Sequence, residues 1–293
     1  MSARGYLALG LALALAGCEG EAFQLAEAGP RLRTPSLDES YRSERSREST
    51  EEFLRVFEEE LHRSRREQPG GLRALTRSPL LDGVAQIHAE DMAAQDYFAH
   101  DSPQGNDVAD RARSLHPRAV ILDLRENLHM IETNIPDPAA ERARFAQRSL
   151  MESPGHRANI VNTQSVEYGL GYAHAVRDGV FHEYSVQVFG IVLGEFRQEP
   201  PASLNLVRAT TLVPFIPARG DAEWFLFAPD LPRQQFTHPL FPDRVFLGGR
   251  PVRYDSEYQV FDMLPMPAGR MVLAARVPGM PPGYGEVWEF ESR

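Results

Sequence analysis

Apolar residues recur at helical spacing from Ser49 onward. Ser49 and Glu52 form a capping box, and behind it Phe53, Val56, Phe57 and Leu61 make one stripe that ends at Gln68-Pro69-Gly70-Gly71. Ser78-Pro79 opens a second helix, with Ser as cap and Pro in the first turn. Leu81, Val84, Ala85, His88 and Met92 share its inner face, which makes His88 a core histidine and not a ligand. Asn106 or Asp107 starts a short third helix through Ala112 and Leu115. Asp137-Pro138 starts a fourth, on which Ala139, Ala143, Ala146 and Leu150 recur. Ser153-Pro154 caps a short fifth and places His156 in its first turn.

Strand signals follow. Residues 166–176 and 180–193 flank Asp178-Gly179, the signature of a type I′ hairpin. That turn puts His174 opposite Glu183, as a surface pair, and His182 opposite Ala175. Tyr168, Leu170 and Tyr172 lie on one face and Gly169, Gly171 and Ala173 on the other, so both faces are apolar or small. A sheet covered by helices on both sides has this pattern. The first part of the chain therefore reads as α/β, an α/β/α sandwich with an antiparallel sheet. Pro200-Pro201 marks a boundary. Beyond it strand signals fall at 210–216, 223–228, 244–247, 252–255, 258–264, 271–277 and 286–291, and predict a small all-β, sandwich-like domain over 200–293. His238 in that part reads as a surface loop residue.

The N-terminus changes the setting. Arg4 precedes a short apolar run, 7–15, and Leu15-Ala16-Gly17-Cys18 follows. The run is too short for a bilayer span and reads as a lipoprotein signal peptide over 1–17, with Cys18 lipidated. Residues 18–48, polar and Pro-punctuated, read as the lipidated N-terminus and a flexible tether. Glu19 in the second mature position favours the outer membrane where the cell has two. Cys18 is the only cysteine, so no disulfide supports the exported chain. The net charge of −10 excludes general nucleic-acid binding. The absence of Lys excludes Schiff-base chemistry.

Three segments carry candidate chemistry: the run 97–105 with His100, Arg125-Glu126-Asn127, and Ser153-Pro154-Gly155-His156-Arg157-Ala158-Asn159-Ile160. Each places a titratable side chain beside a turn or a helix start. Two imidazoles and one carboxylate, brought together with an open position, would make a zinc site of the catalytic type. Placed instead as partners, His100 would hydrogen-bond Glu126 and tie a loop to the sheet edge without metal, and His156 would only cap a helix contact. His100-Asp101-Ser102 is no catalytic triad, because adjacent residues cannot reach that geometry. His62, His116 and His129 sit in charged or loop settings and read as solvated.

Those segments, with Ala85, His88-Ala89-Glu90-Asp91-Met92, Arg111, Gly169-Leu170-Gly171 and Gln187-Val188-Phe189-Gly190, resemble the CAP superfamily in its bacterial SCP-like form. The resemblance covers about 49–193, and the domain it implies spans 49–199. It implies an α/β/α sandwich with a cleft lined by two histidines and two glutamates that can hold a divalent metal such as zinc. His100 and His156 fill the histidine positions and Glu126 one glutamate position. Glu141 and Glu152 are the candidates for the second. Leu150 stands where many members have Trp, and Arg125 where the usual motif has Gly. The expected function is that of a lipid-anchored binding module of the cell envelope, its ligand a lipid, a glycan or another envelope protein. The alternatives are a metal-dependent hydrolase with Glu126 as first catalytic candidate, and a lipid or sterol carrier.

Overall fold

The computed structural model describes residues 37–204, 211–227, 235–237, 245–247, 250–263, 269–277 and 285–293. Cys18 and His238 lie outside them, as does the tether up to residue 36. Among the described residues there are five helices: α1 Leu37–Arg66, α2 Pro79–Gln95, α3 Val108–Leu115, α4 Ala139–Glu152 and α5 Pro154–Ile160. Four start where the caps predict. Ser78 accepts from the Leu81 amide, and Asp107 and Asp110 form a reciprocal capping box. The first does not: α1 begins at Leu37, so the last part of the expected tether, 37–48, is helical and Ser49 lies inside the helix. The reason is propensity. No Gly or Pro interrupts 37–66, and Glu, Arg and Ser sustain a helix whose first turns are polar all round.

The strands are β1 Thr76–Arg77, β2 Ala119–Thr133, β3 Glu167–Arg177, β4 Val180–Phe196, β5 Ser203–Leu204, β6 Thr211–Pro217, β7 Glu223–Phe227, β8 Gln235–Thr237, β9 Val245–Leu247, β10 Arg250–Pro251, β11 Arg253–Asp255, β12 Val260–Met263, β13 Gly269–Arg276 and β14 Gly285–Ser292. β3 and β4 form the expected hairpin, with Asp178 and Gly179 at φ 50° and 81°. The register pairs His174 with Glu183 and Ala175 with His182. β2 runs antiparallel to β4 on its other side, along almost its whole length.

Helices cover this sheet on both faces. Phe53, Val56, Phe57 and Leu61 of α1 pack with Ala143, Ala146 and Leu150 of α4 and Ile160 of α5 over Tyr168, Leu170 and Phe189. On the other face α2 and α3 bury Leu81, Val84, Ala85, Met92 and Ala112 against Leu128, Tyr184, Val186 and Val188. The two strand glycines set the distance of α2. A Cβ at Gly171 would lie 2.2 Å from the Ala85 carbonyl oxygen, and one at Gly169 2.1 Å from the Leu81 carbonyl carbon. Only a missing side chain allows that approach.

Glu183 departs from its expected surface position. It is fully buried, and Arg142 of α4, itself 7% exposed in its side chain, donates to it at 2.5 Å. Tyr172 donates to the same carboxylate oxygen at 3.0 Å. Only His174 of the cross-strand pair faces water. The pair thus joins the start of α4 to the sheet through a charge-assisted bond.

The C-terminal strands extend the first sheet and add a second. β6, β12 and β11 extend the first sheet from the end of β4, where Phe196 pairs with Phe215. β10, β7, β13, β14 and β5 form a second sheet, and β8 pairs with β9. Between the two sheets, Phe215, Phe261, Trp224, Leu226, Met271, Leu273, Trp288 and Phe290 build an aromatic core. Val120, Leu122, Ile191, Leu193 and Phe196 belong to that same core. Side chains alternate along β4, so Ile191 and Leu193 lie on the face that Phe189 presents to α1, α4 and α5. The β region therefore continues the layer of those helices along one sheet face. Among the described residues no helix is long and apolar enough to cross a membrane.

Candidate functional site

The sheet edge formed by β2 is where the candidate residues meet. Glu126 lies in the middle of β2, not beside a turn or helix start as the motif alone suggests. The run 119–133 holds an apolar stretch and then alternation, a strand signal the motif obscures. Asp123, at φ 53°, sits in the irregularity between Leu122 and Arg125. Its carboxylate accepts from Arg125 Nε and Nη2 at 3.0 and 2.8 Å. Arg125, where a smaller residue is usual, is thereby drawn aside to Asp123.

Glu126 points to the side of α2 and α3. Its side chain is 3% exposed, and both of its oxygens are engaged. Oε1 lies 2.9 Å from His100 Nδ1. Oε2 accepts from Arg111 Nη2 at 2.6 Å. Arg111 Nη1 donates to the carbonyls of His100 and Asn106, at 3.0 and 2.9 Å, so one guanidinium holds both the carboxylate and the loop that carries His100. His88 closes the back of the site. It is fully buried and donates from Nε2 to the Ala99 carbonyl at 3.0 Å, as a satisfied core histidine does.

Asn127, the next residue, points to the other face. Its amide donates to the His156 carbonyl and to Gln187 Oε1, both at 3.1 Å. Gln187 donates to Gln147 at 2.8 Å, and Gln147 to Ser64 at 3.1 Å. Asn159 of α5 bonds Asn127 Oδ1 at 2.9 Å and the Glu126 carbonyl at 3.3 Å. These amides fix α5, and with it His156, against the outer edge of β2. His100 and His156 therefore approach the edge strand from its two faces. The sequence identified Asn127, Asn159 and Gln187 as motif positions but not as a relay, because their partners are distant in the chain.

Charge orders the histidines. The bond to Glu126 raises the pKa of His100 above its ordinary value. Burial lowers that of His156, and a charge on His100 lowers it further. His129, expected to be solvated, is 7% exposed on β2, packs edge-on against Phe145 and is pushed down to about 4 by burial, with His156 adding to the shift. Its Nδ1 has no partner. His62 is half-buried and reaches Tyr168 Oη at 3.2 Å, and His116 follows α3 as its C-cap. Glu141 and Glu152 are both exposed.

His129 supplies a pH-dependent cost. Its folded value lies below the ordinary 6.5, so the unfolded chain takes up the proton first as pH falls. Stability is complete above pH 6.5 and declines toward pH 4, with about 2 to 3 kcal/mol lost by roughly pH 4.5. His129→Leu removes the titration and loses no Nδ1 bond. Urea unfolding at pH 7.5 and 4.5 should show a smaller acid loss in the variant. An equal loss in both proteins would disprove the assignment.

The metal-site chemistry is constrained by this geometry. Among the described residues no three His, Cys, Asp or Glu side chains are grouped as metal ligands. With Arg111 and His100 on its two oxygens, Glu126 stands behind His100 as an orienting carboxylate. His100 Nε2 and the His156 ring remain as donors, one fewer than the three protein ligands of a catalytic zinc site.

Comparison with known proteins bears on the same segment. The model of the cysteine-rich secretory protein family (CAP) matches residues 43–189. Comparison with curated proteins gives no match. Among solved structures the chain is similar to an outer surface protein of Borrelia burgdorferi, with 18% identity and a TM-score of 0.39 over 49% of this chain and 95% of that one. It is also similar to an extracellular protein containing a SCP domain from Bacillus anthracis, with 26% identity and a TM-score of 0.28. That match covers 39% of this chain and 34% of the other.

Proposed function

This chain belongs to the cysteine-rich secretory protein (CAP) family, and from that premise we propose that it is an exported, lipid-anchored module that binds a ligand at the cell envelope without turning it over. The observation that carries the reading is the state of Glu126. A general base needs access to a substrate or water. Glu126 is buried, and its two oxygens are held by Arg111 and His100. What the cleft offers a ligand is the solvent-facing part of His100, whose side chain is 57% exposed, and His156 on the opposite face.

A divalent metal, if taken up, would be held by the His100 and His156 imidazoles, with Glu126 orienting His100 from behind. Such an ion would supply a Lewis-acid contact for an oxygen of the ligand. Calorimetric titration of the full chain with zinc tests the arrangement. Weak binding is expected, lost in His100→Ala and His156→Ala and little changed in Glu126→Gln. Tight binding that disappears in Glu126→Gln would make Glu126 a direct ligand and support the hydrolase reading instead.

Export and anchoring are supported by the apolar run before Leu15-Ala16-Gly17-Cys18. Cys18→Ala should shift the protein from the membrane to the soluble fraction. Unchanged fractionation would count against the anchor.

A further inference from the structure

The buried stripe of α1 runs through Phe53, Phe57 and Leu61, and the next position in that series is Arg65. A charged residue on the core face is unusual. Arg65 is 1% exposed, and among the described residues no carboxylate pairs with it. Its guanidinium meets carbonyl oxygens only. Nη1 donates to those of Ile160 and Asn162, at 2.6 and 2.9 Å. Nε and Nη2 donate to that of Arg73, at 3.2 and 2.9 Å. Ile160 is the last residue of α5 and Asn162 lies just beyond its end. Arg65 thus fills the place of the acceptors' missing partners, since the last turn of a helix leaves its carbonyls open.

We infer that Arg65 is a positioning residue for His156: through α5 it sets where that imidazole stands against the edge of β2, as Arg111 does for the loop of His100. α5 is only seven residues long, and Ser153 gives it no side-chain cap. A helix of that length does not persist by itself, so its place is set by what grips it. Asn127 and Asn159 tie it to β2, Ile160 packs into the core, and Arg65 holds its last carbonyls. His156 lies about 6 Å along the helix axis from Ile160, so a shift of that end displaces the ring. The planar fork of arginine serves three carbonyls at once, which the single ammonium of lysine on its different stem does not reproduce. This role rests on the proposed binding function of the cleft, and adds that its second histidine is set from α1.

Hydrogen exchange read by mass spectrometry and zinc calorimetry on the full chain test this, with Arg65→Lys, which keeps the charge, and Arg65→Gln, which keeps an amide donor. Exchange over 154–162 should rise by about tenfold or more in both variants, the effect of losing one charge-assisted bond, while α2 and β4 stay as in the parent chain. Zinc affinity should fall toward that of His156→Ala. In the parent chain the Arg65 Nη–H signals should be resolved and slow to exchange by NMR, a reading that does not depend on either variant folding. Unchanged exchange over 154–162, an equal rise throughout the chain, or averaged Arg65 Nη–H signals would overturn the assignment. So would a loosened α5 that binds zinc as the parent does. A parent chain that takes up no zinc would count against the metal in the cleft alone, and exchange over 154–162 with the Arg65 signals would still decide whether Arg65 sets α5.

Discussion

A chain ending at Glu199 is expected to be insoluble or molten, although it keeps every helix and the whole of β2, β3 and β4. Such a chain would leave Val120, Leu122, Ile191, Leu193 and Phe196 without their cover, residues that are now at most 6% exposed. Burial of one such side chain contributes about 1.5–3 kcal/mol, so five amount to something on the order of 10 kcal/mol before any allowance for residual denatured-state structure. That equals the whole stability of a typical domain, about 5–15 kcal/mol. Truncation also strips β6 from the end of β4, which exposes a hydrophobic sheet edge to pairing with other chains. Expression of residues 37–199 beside 37–293, with solubility and amide exchange as the readouts, decides the matter. A soluble fragment with native protection in β2 and β4 would show that the helical layers suffice.

That expectation rests on contacts between distant parts of the chain, which local sequence does not carry. The composition change at Pro200-Pro201 and the seven strand signals beyond it are properties of neighbouring residues, and strands are found close to each of those positions among the described residues. The face on which Ile191 and Leu193 are buried is also legible from their alternation with Phe189. What covers that face is not, because Phe215, Met271 and Trp288 carry no local mark of their target. The same limit runs through the site. His100, Glu126 and His156 were recoverable as motif residues, and the His100–Glu126 contact was one of two arrangements their chemistry allowed. The role of Arg111 was not recoverable, since an arginine on a short helix is usually solvated. Nor was the burial of His129: two positions from Asn127, it shares the strand face that meets α4, and Phe145 rather than any residue near it in sequence fixes its surroundings. Long α1 failed for a simpler reason. Its charged first turns have no apolar stripe, and apolar periodicity is what marks a helix in sequence.

Arg111→Ala is expected to be the most damaging point change in the site, at about 3–5 kcal/mol, the usual cost of stranding a buried charge. Glu126 would keep His100 as its one hydrogen-bonding side chain, and that exposed ring is a weaker and pH-dependent partner. The loop would lose two further bonds, because the Arg111 Nη1 donations to the His100 and Asn106 carbonyls disappear with the side chain. Glu126→Gln should cost less. Arg111 retains those two carbonyl acceptors, and the amide can still accept through its oxygen. The double variant Arg111→Ala/Glu126→Gln should then recover part of the loss, since the stranded carboxylate is gone, and the cycle would give a coupling of about 1–3 kcal/mol. Denaturant unfolding measures these differences, and amide exchange over 97–107 separates their local part. Faster exchange there in Arg111→Ala, with α1 and α4 unchanged, identifies Arg111 as the residue that positions His100 for whatever enters the cleft. Arg111→Ala within 1 kcal/mol of the parent chain would mean that Glu126 is held without it, leaving the carboxylate free for chemistry that the present geometry denies it.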